Sequence, residues 1–135
     1  AIVERHWVMR VTYAFATALF ICYPHLGQGE ANTALTGTVL RRLGARDPAA
    51  MARLAQGLGA WDDSMPPAEA PPRAADYLDK YFAGLGMPTR LRELGFPRDG
   101  LARVLENSLK NFNADPGREF VRERDLLDDV LRQAW

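Results

Sequence analysis

The residues best equipped for chemistry stand at one corner of the chain, Pro24-His25-Leu26-Gly27-Gln28-Gly29-Glu30-Ala31-Asn32-Thr33-Ala34-Leu35, where an apolar helical stretch stops and a second helix begins. His25, Gln28 and Glu30 crowd there beside Tyr23. Imidazole and carboxylate suit zinc or iron, whereas an amide is a weak neutral ligand, and a metal centre draws three or four good donors. The same residues also fit a structural role. His25 and Gln28 can hydrogen-bond loop carbonyls, and Glu30 sits where a helix N-terminus stabilises a carboxylate.

Other chemistry is poorly supported. The chain has no GxGxxG after a strand, no GxxxxGK[ST], no HExxH and no CxxC. A serine or cysteine triad would have to recruit His6 or His25, and neither Ser64 nor Ser108 lies in a nucleophile-elbow pattern. Lysine plus arginine equals aspartate plus glutamate, 17 each, so no basic field exists to neutralise nucleic-acid phosphates. Cys22 is the single cysteine and lies in an apolar run, where a thiol behaves as a small hydrophobe; a reducing, cytoplasmic location is expected. The run Val11 to Tyr23 is 13 residues long, short of the ~20 that span a bilayer, so no membrane segment is expected.

The elements that position the corner are helical. Nothing breaks a helix from Ile2 to Tyr23, and beyond Val11 nearly every position is apolar. This predicts a central helix packed on several sides, with Tyr13, Phe15, Phe20 and Tyr23 in the core. Pro24 ends it. A second helix carries apolar residues at helical spacing from Ala31 to Leu43 and stops at Gly44, with Arg41 and Arg42 in its last turn. Asp47-Pro48 predicts a helix start, Asp47 as N-cap, running to about Leu58. Residues 61–73 hold four prolines and read as a linker-like loop. Further helices are expected over Arg73 to Leu85 with a stripe of Ala74, Tyr77, Leu78, Tyr81 and Phe82; over a short segment from Pro88 to Leu94; after Pro97 through Phe112; and from about Val121 to Ala134. The length of 135 residues suits one all-α domain, 1–135, a bundle of about six or seven helices.

Three segments carry a family resemblance. Leu26-Gly27-Gln28-Gly29-Glu30-Ala31-Asn32-Thr33-Ala34-Leu35 with Met51-Ala52-Arg53-Leu54-Ala55-Gln56-Gly57-Leu58-Gly59 resembles the C-terminal helical domain of the iron-containing alcohol dehydrogenase and maleylacetate reductase family, a dehydroquinate synthase-like domain. Leu85-Gly86-Met87-Pro88-Thr89-Arg90-Leu91-Arg92-Glu93-Leu94-Gly95 looks like that family's "lglPtrLrelG" signature, and Asp125-Leu126-Leu127 with Ala134-Trp135 resembles its "eDLl…aaW" ending. The matches cover residues 26–135 in family order.

The resemblance implies an oxidoreductase in which iron or zinc is held by an aspartate and three histidines, and NAD(P) by an upstream Rossmann-like domain. The last histidine of the family lies in a proline-histidine-glycine corner. In the ungapped register Gln28 takes its place; reading Pro24-His25 as the pair restores the ligand but needs an insertion before Ala31. Tyr13-Ala14-Phe15-Ala16-Thr17 stands where the family carries HAxxH, and the aspartate and the nucleotide-binding domain have no counterpart. The resemblance therefore implies one domain of a dehydrogenase with a degraded metal shell. Such a domain would need a nucleotide-binding partner chain, or would self-associate through the apolar surface it leaves bare. The alternative is a non-catalytic interaction or small-molecule-binding module that keeps the fold alone.

Overall fold

The structure is a computed structural model that describes residues 6–135; the expected helical positions 2–5, with Glu4 and Arg5, lie outside the described residues. Six α-helices follow one another: α1 (Trp7–Cys22), α2 (Gln28–Leu43), α3 (Pro48–Gly57), α4 (Ala70–Gly84), α5 (Leu101–Leu109) and α6 (Arg124–Ala134), joined by short 3-10 turns and, among the described residues, no strand. This is the all-α bundle that the periodicity predicts.

The second helix occupies the enclosed position. Ala31, Ala34 and Gly37 are small enough for neighbouring helices to approach closely, and α2 packs against α1, α4 and α6. Leu35 and Val39 are fully buried on it, and Leu43 nearly so. The first helix packs on α2 and α5, burying Val11, Ala14, Phe15, Ala18 and Leu19. Each such large side chain taken from water stabilises the fold by about 1.5–3 kcal/mol.

The expectation that α1 is covered all round is corrected here. Phe15 is core, but Tyr13 is 43% and Phe20 46% exposed, and Tyr23 is only half-buried. Met9 and Ile21 join them outside, at 57% and 56%. Among the described residues α1 packs on helices at two sides, α2 and α5, and an apolar helix so placed exposes part of a third. At 100° per residue, Met9, Phe20 and Tyr13 fall within roughly 40° of one another, with Ile21 about 80° further round.

The stretch 61–73 is folded rather than linker-like. Trp61 is buried and its indole N–H donates to the Pro66 carbonyl at 3.0 Å; a 3-10 turn at Pro67–Glu69 then leads into α4 at Ala70. Pro71 and Pro72 sit in the first turn of that helix, where backbone N–H groups have no intrahelical partner and prolines cost nothing. The fourth helix then buries Ala74 of the predicted stripe together with Ala75 and packs Leu78 against the core, whereas Tyr77 and Tyr81 of that stripe are exposed. Three further boundaries differ. The helix expected from Pro88 is a 3-10 turn at Leu91–Leu94, closed by Gly95 at φ +79; α5 stops at Leu109, leaving Phe112 63% exposed; α6 starts at Arg124 after a 3-10 turn.

Asp47 precedes α3 as expected, yet its carboxylate does not cap it. Oδ2 instead accepts the Trp7 backbone N–H at 3.1 Å and Oδ1 meets His6 Nδ1 at 2.8 Å, so the side chain satisfies the first turn of α1. The opposite side of that turn is fixed by Arg10. Its guanidinium donates to Ala114 O at 2.8 Å, Glu119 Oε2 at 2.7 Å and Asp115 Oδ1 at 2.7 Å, and lies over the rings of Trp7 and Phe120. Asp115, 1% exposed, also accepts the backbone N–H groups of Glu119 and Phe120.

Candidate functional site

The corner is held from behind by a chain of aromatic rings. The Tyr23 ring lies 5.0 Å from Phe96, which meets Trp135 edge-on at 5.2 Å, and His25 leans edge-on against Tyr23 at 6.3 Å. Trp135, at the end of one of the segments singled out in the sequence, thus backs the turn between α1 and α2 through Phe96. Five residues separate the two helices, so α2 folds back along α1 as an αα-hairpin.

The three residues expected to form a site do not converge. His25 is exposed in the turn between α1 and α2. Gln28 opens α2 at its first position and Glu30 lies in the same first turn, its carboxylate folded back toward Gly27. Among the described residues no group of three His, Cys, Asp or Glu lies close enough to hold a metal ion.

What does converge is a groove of about 430 Å³ between α1 and α2, closed at one end by Leu54 of α3 and Leu78 of α4. The first helix lines it with Val8, Met9, Thr12, Tyr13, Ala16 and Thr17, and the second with Gln28, Asn32, Thr36 and Leu40. Both sets repeat every four residues, the spacing that keeps side chains on one helix face. Tyr13, Thr17 and Gln28 therefore share one cavity, whereas His25 and Glu30 do not line it. Gln28 is the position that the ungapped register sets against the family's last histidine, and Tyr13 and Thr17 bound the stretch that stands in the region of its HAxxH.

A phenol, a hydroxyl and an amide do not fit iron or zinc, which select imidazole, thiolate and carboxylate. The corner offers one imidazole and one carboxylate without a third such donor among the described residues. No charged side chain among the described residues lines the groove. Thr12 donates to Val8 O at 2.7 Å and Thr36 to Asn32 O at 2.6 Å, so both hydroxyl protons are used within their own helices.

The serines considered as nucleophiles have structural partners. Ser64 donates its hydroxyl and its backbone N–H to Asp62 Oδ1, and these bonds hold the Asp62 carboxyl below its usual range. Ser108 is buried and donates to Val104 O at 2.8 Å. A second hollow contains Arg41, Arg42 and Arg90, but all three are engaged: Arg41 with Asp76 and Asp79, Arg42 with Asp129, and Arg90 with the Gln133 carbonyl. No helix among the described residues is long and apolar enough to cross a membrane.

No family model matches the chain, and no curated protein matches it. Among solved structures it is similar to 1,3-propanediol oxidoreductase, with a TM-score of 0.77 and 23% identity over 93% of this chain. The match covers 32% of that protein, so this chain spans about a third of its length and has the fold of that part.

Proposed function

We propose that the chain is the helical, substrate-side part of an oxidoreductase of the iron-containing alcohol dehydrogenase kind. By itself it is incomplete. It works in the cytoplasm against a nucleotide-binding domain that carries NAD(P). The reading is supported by one observation above the others: a fold shared with a third of a 1,3-propanediol oxidoreductase, on a chain whose first helix exposes Met9, Phe20 and Ile21. Exposed large apolar side chains of that kind mark a surface that another body covers. In this reading the second domain lies across that face and over the groove, excluding water from it.

Sedimentation of the purified chain from dilute to concentrated solution tests the covered face. Self-association is expected, and Phe20→Lys with Ile21→Glu should abolish it; a wild-type monomer at high concentration refutes it. Titration with NADH tests the rest. The chain alone should leave NADH fluorescence unchanged, and addition of a nucleotide-binding chain encoded nearby should restore binding and alcohol-dependent reduction. Failure with every neighbouring chain removes the oxidoreductase reading.

A second reading, a non-catalytic small-molecule-binding module on the same fold, is favoured by the groove's donor set. Tyr13, Thr17 and Gln28 supply no strong metal ligand. Metal bound stoichiometrically through His25, and lost in His25→Ala, would count against this second reading.

A further inference from the structure

We infer that the groove between α1 and α2 is a metal-independent binding site for an uncharged amphiphilic small molecule, an apolar chain or ring ending in a hydroxyl, carbonyl or amide. The inference rests on the second reading above, which it deepens by naming the ligand's chemistry, and it stands without the oxidoreductase reading. It rests on the polarity gradient along the groove. On α2 the lining row is Gln28, Asn32, Thr36, Leu40, two amides followed by a back-bonded hydroxyl and a leucine. Because α1 runs the other way, Thr17 lies toward the amide end, and Val8 joins Leu40, Leu54 and Leu78 at the apolar end. Twelve residues of helix make the groove about 18 Å long.

The amide end has open valences. Neither side-chain amide of Gln28 and Asn32, nor the Thr17 hydroxyl, makes a hydrogen bond to the described residues. An amide both donates and accepts, so it pairs with a neutral hydroxyl or carbonyl without a counter-charge. A carboxylate, phosphate or ammonium entering this groove would give up hydration and meet no opposite charge among the described lining residues. The volume, about 430 Å³, lies in the range of small-molecule sites.

The test is an amide-resolved NMR titration of the whole chain in EDTA, with 1-octanol as probe and octanoate and octylamine as its charged counterparts. Octanol should saturate shifts at Thr12, Thr17 and Asn32 and at the Gln28 and Asn32 side-chain amides. At neutral pH both charged probes should bind at least about tenfold more weakly. Gln28→Ala with Asn32→Ala, at two exposed positions, should weaken octanol about fivefold, the loss of one net hydrogen bond. Ile21→Lys, on α1 about 80° round from Tyr13 and outside the groove lining, should leave octanol binding unchanged, which separates the groove from adhesion to the exposed apolar residues of α1. Absence of saturable shifts in the groove overturns the inference. So does binding that appears only with added Zn²⁺ or Fe²⁺, octanoate binding as tightly as octanol, or indifference to the double substitution. Saturable octanol binding by a chain that stays monomeric and has no nucleotide-binding partner upholds the pocket and removes the oxidoreductase reading. Association with such a partner and no octanol shifts does the reverse.

Discussion

Replacing Arg10 with methionine would keep an unbranched side chain in place and remove the guanidinium that lies over Trp7 and Phe120 and faces Asp115. The Asp115 carboxylate is 1% exposed and would retain only the N–H groups of Glu119 and Phe120, at 2.9 and 2.7 Å. A buried ion pair broken on one side costs about 3–5 kcal/mol, because the surviving charge is left without compensation. The two remaining backbone donors place Arg10→Met at the lower end, about 3 kcal/mol. Urea unfolding monitored by helical circular dichroism reads this directly. With a slope of about 1–3 kcal/mol/M, the midpoint should fall by about 1–3 M. Asp115→Asn removes the opposite charge, and the double variant should lose less than the sum of the two single losses. A loss below about 1 kcal/mol for Arg10→Met, the scale of an exposed pair, or additivity in the cycle, would refute the claim that this pair ties α1 to the α5–α6 connection.

Asp47→Ala should cost about 1 kcal/mol, the loss of a cap, and hydrogen exchange should speed up at the start of α1 while α3 stays protected; protection lost in α3 alone would contradict the structure. Gly44→Ala should destabilise by about 1–3 kcal/mol in thermal unfolding, since the new methyl would sit 2.8 Å from Cβ of Pro71, a rigid ring, and 3.0 Å from the Met51 sulfur; an unchanged or raised melting temperature would refute the close approach of α2 and α4. Ser64→Ala removes a hydroxyl that favours the charged form of Asp62, so the Asp62 carboxyl should titrate at higher pH in the variant, followed by carboxyl NMR. The sign follows from the direction. A carboxyl held below its unfolded value favours the folded state above that value, and the contribution is lost as pH falls through the folded one.

One residue of the groove's lining was singled out in residue order, though as part of a metal corner and not of a cavity. The ungapped register placed Gln28 at the critical turn, and Gln28 does line the groove beside Tyr13 and Thr17. His25 was singled out because imidazole is chemically conspicuous, and the structure puts it outside the cavity. Asn32 was missed as a site residue because a lone amide on a helix carries no chemical signature. Only its place in the row Gln28, Asn32, Thr36, Leu40 distinguishes it, and that row needed a neighbour across from it before it meant anything.

Residue order by itself determined the six α-helices to within a few residues at their ends, since proline and glycine signals and three-to-four-residue periodicity act within one or two turns. It also carried the segments that resemble a dehydrogenase domain, and the structural likeness agrees with the fold they imply. Tertiary structure alone decided which side of the apolar first helix stays bare. An apolar helix has no label for the side that will lack a neighbour; that depends on how many helices reach it. Long-range packing also took Asp47 from its own helix to Trp7, 40 residues away, and joined Arg10 to Asp115 across 105 residues. Such pairings depend on the path of the whole chain. Local propensity cannot contain them, because the groups that meet are neighbours only after the helices have packed.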